Sequence, residues 1–123
     1  MEDCGTVINP QLVDEQIRGG VVQGLGPALF EHCLYDERGQ LLNGNMADYL
    51  VPMAAEMPDI EVGHVVSPTA ESELGAKGAG EAGTAGAAAA VANAVNDALQ
   101  PFDVRITEIP LTPDRILGAL GRA

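Results

Sequence analysis

The residues with most chemical promise lie in the segment Leu74–Gly86, LGAKGAGEAGTAG, where a single carboxylate, Glu81, stands among alanines and glycines. Gly75, Gly78, Gly80, Gly83 and Gly86 let backbone amides approach a ligand with no Cβ in the way. An Ala-rich run follows at once, so the N-terminal dipole of a helix would point back at the loop. Three readings of this loop compete. Gly78-Ala79-Gly80-Glu81-Ala82-Gly83 fits a GxGxxG dinucleotide fingerprint letter for letter, but that motif follows a hydrophobic strand, and Thr69–Glu73 is none. A Walker-type phosphate loop needs Gly-Lys-Ser/Thr, and Lys77 comes too early for it. The third reading is a loop that cradles a cofactor and presents Glu81 to it. Small neighbours give this carboxylate no local solvation, and burial beside a ligand would make it a competent general base near neutral pH. The competing role for Glu81 is that of an acid favoured by a helix dipole, and spacing leaves both roles open.

A second glycine-rich segment has to support the first. Gln11–Cys33 has a helical pattern interrupted by Gly19, Gly20, Gly24 and Gly26, with Pro27 following. Each interior glycine costs about 0.5–1 kcal/mol relative to alanine, so these sacrifice roughly 2–4 kcal/mol. A helix facing only solvent has no reason to carry that cost. A ligand or another backbone is therefore expected directly against it. Gly20 and Gly24 lie one helical turn apart, with Gln23 beside them.

The remaining elements are ordinary. MEDCGTVIN reads as a short strand into a turn, LYDERGQLL as a hairpin about Asp36–Gly39, and DIEVGHVVS (Asp59–Ser67) as a strand. The Asn43–Pro58 stretch between them reads as loop-rich. Ala87–Leu99 reads as a helix apolar on most faces, hence buried, and Pro101 ends it. VRITEIP (Val104–Pro110) reads as a further strand. Thr112-Pro113-Asp114 is a strong helix start, with a Thr cap, a Pro at the first position and an acid in the first turn. That helix should run to about Leu120. The expected class is α+β, helices packed on short mixed strands, in a single segment 1–123 without repeats or a linker.

Composition closes other routes. Eighteen acids against six bases give a net charge of −12, so the basic footprint of a nucleic-acid binder is missing, and an anionic membrane surface is disfavoured. No apolar run approaches the roughly 20 residues of a membrane span. The chain opens without a basic signal-peptide region, and its two cysteines, Cys4 and Cys33, lack CxxC spacing, which together suggest a cytoplasmic protein. A protein-ligated metal site from His32, Cys33 and His64 is disfavoured because scattered candidates rarely converge. Cys4 has no evident partner base, Asp48 and Tyr49 are expected to organise their loop, and Met46, Met53 and Met57 to fill gaps. With aromatic residues at only 3%, alanine and glycine must carry much of the packing.

Taken in order, DCGTVINP (Asp3–Pro10), EQIRGGVVQGLGPAL (Glu15–Leu29), DYLVP (Asp48–Pro52), GAKGAGEAGTAGAAAAVANAV (Gly75–Val95) and EIPLTPDRI (Glu108–Ile116) resemble one family in sequence and spacing. The chain resembles the C-terminal part of the large, molybdenum-binding subunit of the molybdenum hydroxylases, the family of xanthine dehydrogenase, aldehyde oxidoreductases and aerobic carbon monoxide dehydrogenase. The resemblance implies a molybdopterin-binding domain and an oxidoreductase that hydroxylates a carbon centre with water as the oxygen source. It implies a molybdenum–pterin cofactor, which bacterial members often carry as the cytosine dinucleotide. It places the general base on Glu81 and puts Gln23 near the metal's oxo group. Gly24 and the backbone of Lys77, Gly78, Ala79 and Gly80 then line the pterin or its phosphate, and the Lys77 ammonium either offsets phosphate charge or is that of a solvated loop lysine. The pterin holds the metal, so the resemblance implies no metal ligand from the chain.

The same resemblance defines what is missing. Family subunits are several times longer, so the remainder of the molybdenum-binding subunit becomes an implied partner, and this chain should not turn over alone. Iron–sulfur clusters and FAD would reside on partner domains or subunits, and the substrate would be a small molecule set by residues outside this segment. The alternative is a non-catalytic remnant or interaction module that folds only against a partner chain.

Overall fold

The computed structural model describes residues 1–122, and among them lie the helices α1 (Pro10–Leu29), α2 (Thr84–Leu99) and α3 (Pro113–Ala119), with 3-10 turns at Ala54–Glu56 and Gln100–Phe102. α1 begins where Asn9 can accept the Leu12 N–H on its side-chain oxygen, 3.2 Å away, and where Pro10 loses nothing by lacking an N–H. α3 begins as its sequence predicts, with Thr112 Oγ1 accepting from the Arg115 N–H at 3.4 Å. α2 ends just before Pro101, and the chain turns at Asp103 with φ 55°.

α1 and α2 pack along glycines. A Cβ on Gly20 would lie 3.2 Å from Gly83 Cα, and one on Gly24 would lie 2.7 Å from Ala87 Cβ and 2.8 Å from the Thr84 carbonyl. A Cβ on Gly83 would collide with the Ile17 carbonyl at 2.4 Å and the Val21 N at 2.7 Å. The expected close neighbour of α1 is therefore another backbone of the same chain, at least along this stripe. Gly26 has its own reason, since the Glu31 carboxylate occupies the place of its Cβ. At the far end of α2, Leu99, Ile106 and Leu111 form a buried cluster, joined by Leu29, Val91, Val95, Val104, Ile116 and Leu120.

The expected strands do not form as such. Among the described residues β-pairing is confined to isolated bridges, Glu2 with His64, Gly5 with Ala76 and Tyr35 with Leu41. A strand needs a neighbour to bond along its length, and these segments meet theirs at single points. The Asp36–Gly39 turn does close: Asp36 Oδ1 accepts from Arg38 N and Gln40 N at 2.9 and 2.8 Å. Val104–Pro110 has a side chain for its partner. Asn96 Oδ1 accepts from Ile106 N at 2.8 Å while Asn96 Nδ2 donates to Ile106 O at 2.9 Å, so one amide reproduces a rung of a ladder. The expectation that α2 is buried on most faces also needs correction: within it only Ala87 and Leu99 are buried. Only one stripe of the helix meets α1, and its opposite side, including Ala85, Gly86, Ala89 and Ala90, is exposed.

The N-terminal segment is tied to the glycine-rich loop by charge. Lys77 Nζ donates to Asp3 Oδ2 and to Ser67 Oγ, both at 2.9 Å, and the Ser67 hydroxyl donates to the same Asp3 oxygen. Lys77 N donates to Cys4 O at 2.7 Å and Thr6 N to Gly75 O at 3.0 Å. The hydrogen bond from Ser67, then those from Lys77 and the Gly5 amide, hold the Asp3 carboxyl far below the usual carboxylate range.

Two outcomes follow for stability, both measured by urea denaturation. Gly83→Ala should cost about 1–3 kcal/mol through overpacking against backbone, whereas Gly19→Ala, which meets open space in an exposed helical position, should be neutral or gain up to about 1 kcal/mol. Equal effects would disprove the packing account. Because the Asp3 carboxyl is depressed in the folded chain, its contribution is fully present above its unfolded value of about 3.9 and is lost as pH falls through the folded value. The gap in urea midpoint between the unaltered chain and Asp3→Asn should thus stay constant from about pH 7 to pH 5 and narrow only below about pH 4. Narrowing already between pH 7 and 5 would disprove the assignment.

Candidate functional site

The loop that carries Glu81 is held at both ends and free in the middle. At its entry Lys77 is committed to Asp3, Ser67 and Cys4. At its exit Gln16 Nε2 donates to Gly80 O at 2.8 Å, and Thr84 Oγ1 donates to Gly20 O at 3.0 Å. Between these anchors the backbone N–H groups of Gly78, Ala79, Gly80 and Glu81 donate to no acceptor among the described residues. A Cβ on Gly78 or Gly80 would meet nothing within 4 Å. These glycines therefore have no packing reason inside the chain, in contrast to Gly20, Gly24 and Gly83. A bare, N–H-rich ribbon at the start of a helix is a surface for an oxygen-rich anion.

Glu81 is exposed, and its carbonyl accepts from Thr84 N at 3.1 Å and Ala85 N at 3.3 Å. Those bonds close the first turn leading into α2 and place the carboxylate just outside the helix. The structure thus keeps the glutamate available beside the N–H ribbon, and within this chain no burial envelops it. Gln23 is exposed on α1, three residues from Gly20, where the loop is docked. Pro27 lies inside α1 and has no N–H, so the Gln23 carbonyl loses its helical donor. Gln23 accordingly offers a side-chain amide and a carbonyl at one place. Gly24 is turned into the α1–α2 contact by Ala87 and Thr84, so packing accounts for its missing side chain. The exposed Lys77 has its ammonium held by Asp3 and Ser67.

The other candidates separate from this site. His64 Nε2 pairs with Asp14 Oδ1 at 2.7 Å, Cys4 is buried and Cys33 exposed, and no group of His, Cys, Asp or Glu suited to a metal ion occurs among the described residues. Asn45 Nδ2 donates to Asp48 Oδ2 at 2.7 Å, a turn contact. The Tyr49 hydroxyl donates to Glu31 Oε2 at 2.7 Å, and the bonded carboxylate pushes the phenol up to about 12. Tyr49 so fixes the carboxylate that lies over Gly26. Sequence reasoning missed Gln16, Thr84 and Asp3 as supports of the loop; the only signal was that the loop glycines and the α1 glycines both demanded a close neighbour. No helix among the described residues is long and apolar enough to cross a membrane.

The chain is similar to known proteins along nearly its whole length. A family model described as a molybdopterin cofactor-binding domain matches residues 1–58. The chain is 47% identical over 119 residues to the nicotine 6-hydroxylase large subunit of Paenarthrobacter nicotinovorans, covering 97% of this chain and 15% of that protein. It is 35% identical over 120 residues to the carbon monoxide dehydrogenase large chain of Hydrogenophaga pseudoflava, covering 98% of this chain and again 15% of the relative. The crystal structure of quinoline 2-oxidoreductase from Pseudomonas putida 86 superposes with a TM-score of 0.93 at 45% identity, over 98% of this chain and 15% of that one. The chain spans about 15% of the length of the curated relatives it matches. A shared fold with this level of identity across nearly every residue of the chain places it with a segment, about 15% of the length, of the molybdenum-binding large subunits of the molybdenum hydroxylases.

Proposed function

We propose that this chain seats part of a molybdenum–pterin cofactor and supplies Glu81 as the general base of a molybdenum hydroxylase. The observation that carries the reading is the Gly78–Glu81 ribbon, whose N–H groups have no partner among the described residues and whose glycines open to space. Those donors fit the phosphate and pterin edge of such a cofactor, including its cytosine dinucleotide form. When bound, the cofactor supplies the redox centre at which a water-derived oxygen is delivered to a substrate carbon.

The chain's own residues do the rest. Gly78, Ala79 and Gly80 donate backbone N–H groups to the anion, and the α2 N-terminal dipole adds to their field. The Gln23 amide donates to an oxygen of the bound group, and Gly24 keeps Gln23 in register by packing α1 on α2. Lys77 contributes through its backbone and through the anchor it forms with Asp3. A Glu81 carboxylate oxygen takes the proton of the attacking hydroxyl, which needs a base within hydrogen-bond reach and shielded from water. That shielding must come from outside this chain. The rest of the large subunit, with iron–sulfur and flavin domains or subunits that carry electrons away, is the partner set, and the substrate is a small molecule.

A second reading keeps the fold and drops the chemistry: an interaction module stable only against a partner chain. The exposed outer side of α2 and exposed Leu50, Val51 and Met53 favour it. Coexpression with the preceding portion of a large subunit separates the two. Under the catalytic reading the complex holds molybdenum, and Glu81→Gln keeps the metal while turnover falls by several orders of magnitude. Near-normal turnover in Glu81→Gln, or a complex devoid of molybdenum, would sink that reading and leave the module.

A further inference from the structure

The exposed Glu81 carboxylate has no hydrogen-bond partner among the described residues, so the region it can reach is set by how the backbone around it is fixed. Two side-chain contacts to α1 do that. Gln16 Nε2 grips the carbonyl of Gly80, the residue immediately before Glu81. Thr84 Oγ1 grips the Gly20 carbonyl, and the Thr84 N–H closes back onto the Glu81 carbonyl. Gln16, Gly20 and Gly24 repeat every fourth residue and so form one stripe of α1. Gln23 borders that stripe, seven residues and about 10.5 Å of rise beyond Gln16. The segment holding the candidate base is thereby indexed against the helix holding the candidate amide, by bonds that involve no cofactor.

We propose that Thr84 and Gln16 are positioning residues for Glu81, fixing the Gly80–Thr84 turn on α1 so that the carboxylate keeps its register with Gln23. The proposal rests on the cofactor-binding reading above, but its first readout does not. Thr84 acts through its hydroxyl rather than its methyl, because only the hydroxyl reaches the Gly20 carbonyl; serine should replace it and valine should not. Gln16 acts through its amide, so leucine removes the contact while keeping the helix.

The test uses the chain assembled with the preceding portion of a large subunit. Hydrogen exchange at positions 84 and 85, whose amides donate to the Glu81 carbonyl, should quicken by at least about tenfold in Thr84→Val and remain near normal in Thr84→Ser. Molybdenum content should stay within about twofold in all variants, while kcat falls about 10–100-fold in Thr84→Val and in Gln16→Leu with KM little changed, the cost of a misplaced group of order 1 Å. Thr84→Ser should restore kcat to within about threefold. Unchanged exchange at positions 84 and 85 in Thr84→Val would overturn the proposal. So would molybdenum lost in proportion to kcat, which would mark a purely structural role. If Glu81→Gln keeps turnover, the base assignment fails, and the exchange measurement still decides whether Thr84 fixes the turn.

Discussion

Two helix backbones approach where glycine faces glycine, and most of this molecule is arranged around that contact. Gly20 and Gly24 on α1 receive Gly83, Thr84 and Ala87 at the start of α2. Helices separated by ordinary side chains pack 8–10 Å apart, and removing the side chains at the crossing lets backbones touch. Little large apolar surface is buried there; Ile17, Ala28 and Ala87 are the buried apolar residues of the two helices near it. The contact therefore works by shape. Its consequence is positional: the N-terminus of α2, the loop before it and the Gln23 stripe of α1 become one rigid unit. The apolar cluster of Leu99, Ile106 and Leu111 sits at the other end of α2.

How much of this the sequence discloses depends on whether a feature is local. The cost of glycines inside α1 is local, and it correctly demanded a close neighbour. The start of α3 is local too, since Thr112, Pro113 and Asp114 each act within one turn. The identity of the neighbour is not local: Gly83 lies about sixty residues from Gly20, and only the fold shows that one glycine segment answers the other. The strands misled for the same reason. Alternation in Asp59–Ser67 reports a segment suited to pairing, while pairing itself needs a neighbouring strand, and His64 finds one only at Glu2. Asn96 was invisible because an amide serving as a ladder rung has no sequence signature.

The apolar character of α2 has the same lesson at larger scale. A helix of alanines and valines predicts burial, and Val91, Val95 and Leu99 do face the cluster. The opposite side remains exposed, as do Leu50, Val51 and Met53. Contiguous exposed apolar surface is characteristic of a contact face.

Charge gives the sharpest contrast between global and local physics. A chain with net charge −12 is an unpromising host for an anionic cofactor. The Lys77 ammonium is held by Asp3 and Ser67. What the loop offers instead are backbone dipoles at contact distance, in Gly78, Ala79, Gly80 and Glu81, backed by the dipole of α2. Exposed carboxylates beyond roughly 8 Å are screened at physiological salt, whereas an N–H pointing at an oxygen is not. The one carboxylate within the ribbon itself is that of Glu81, which is exposed. Glycine at 78 and 80 leaves those amides bare of side chains, and a Cβ at either position would meet nothing within 4 Å, so no packing inside the chain requires glycine there.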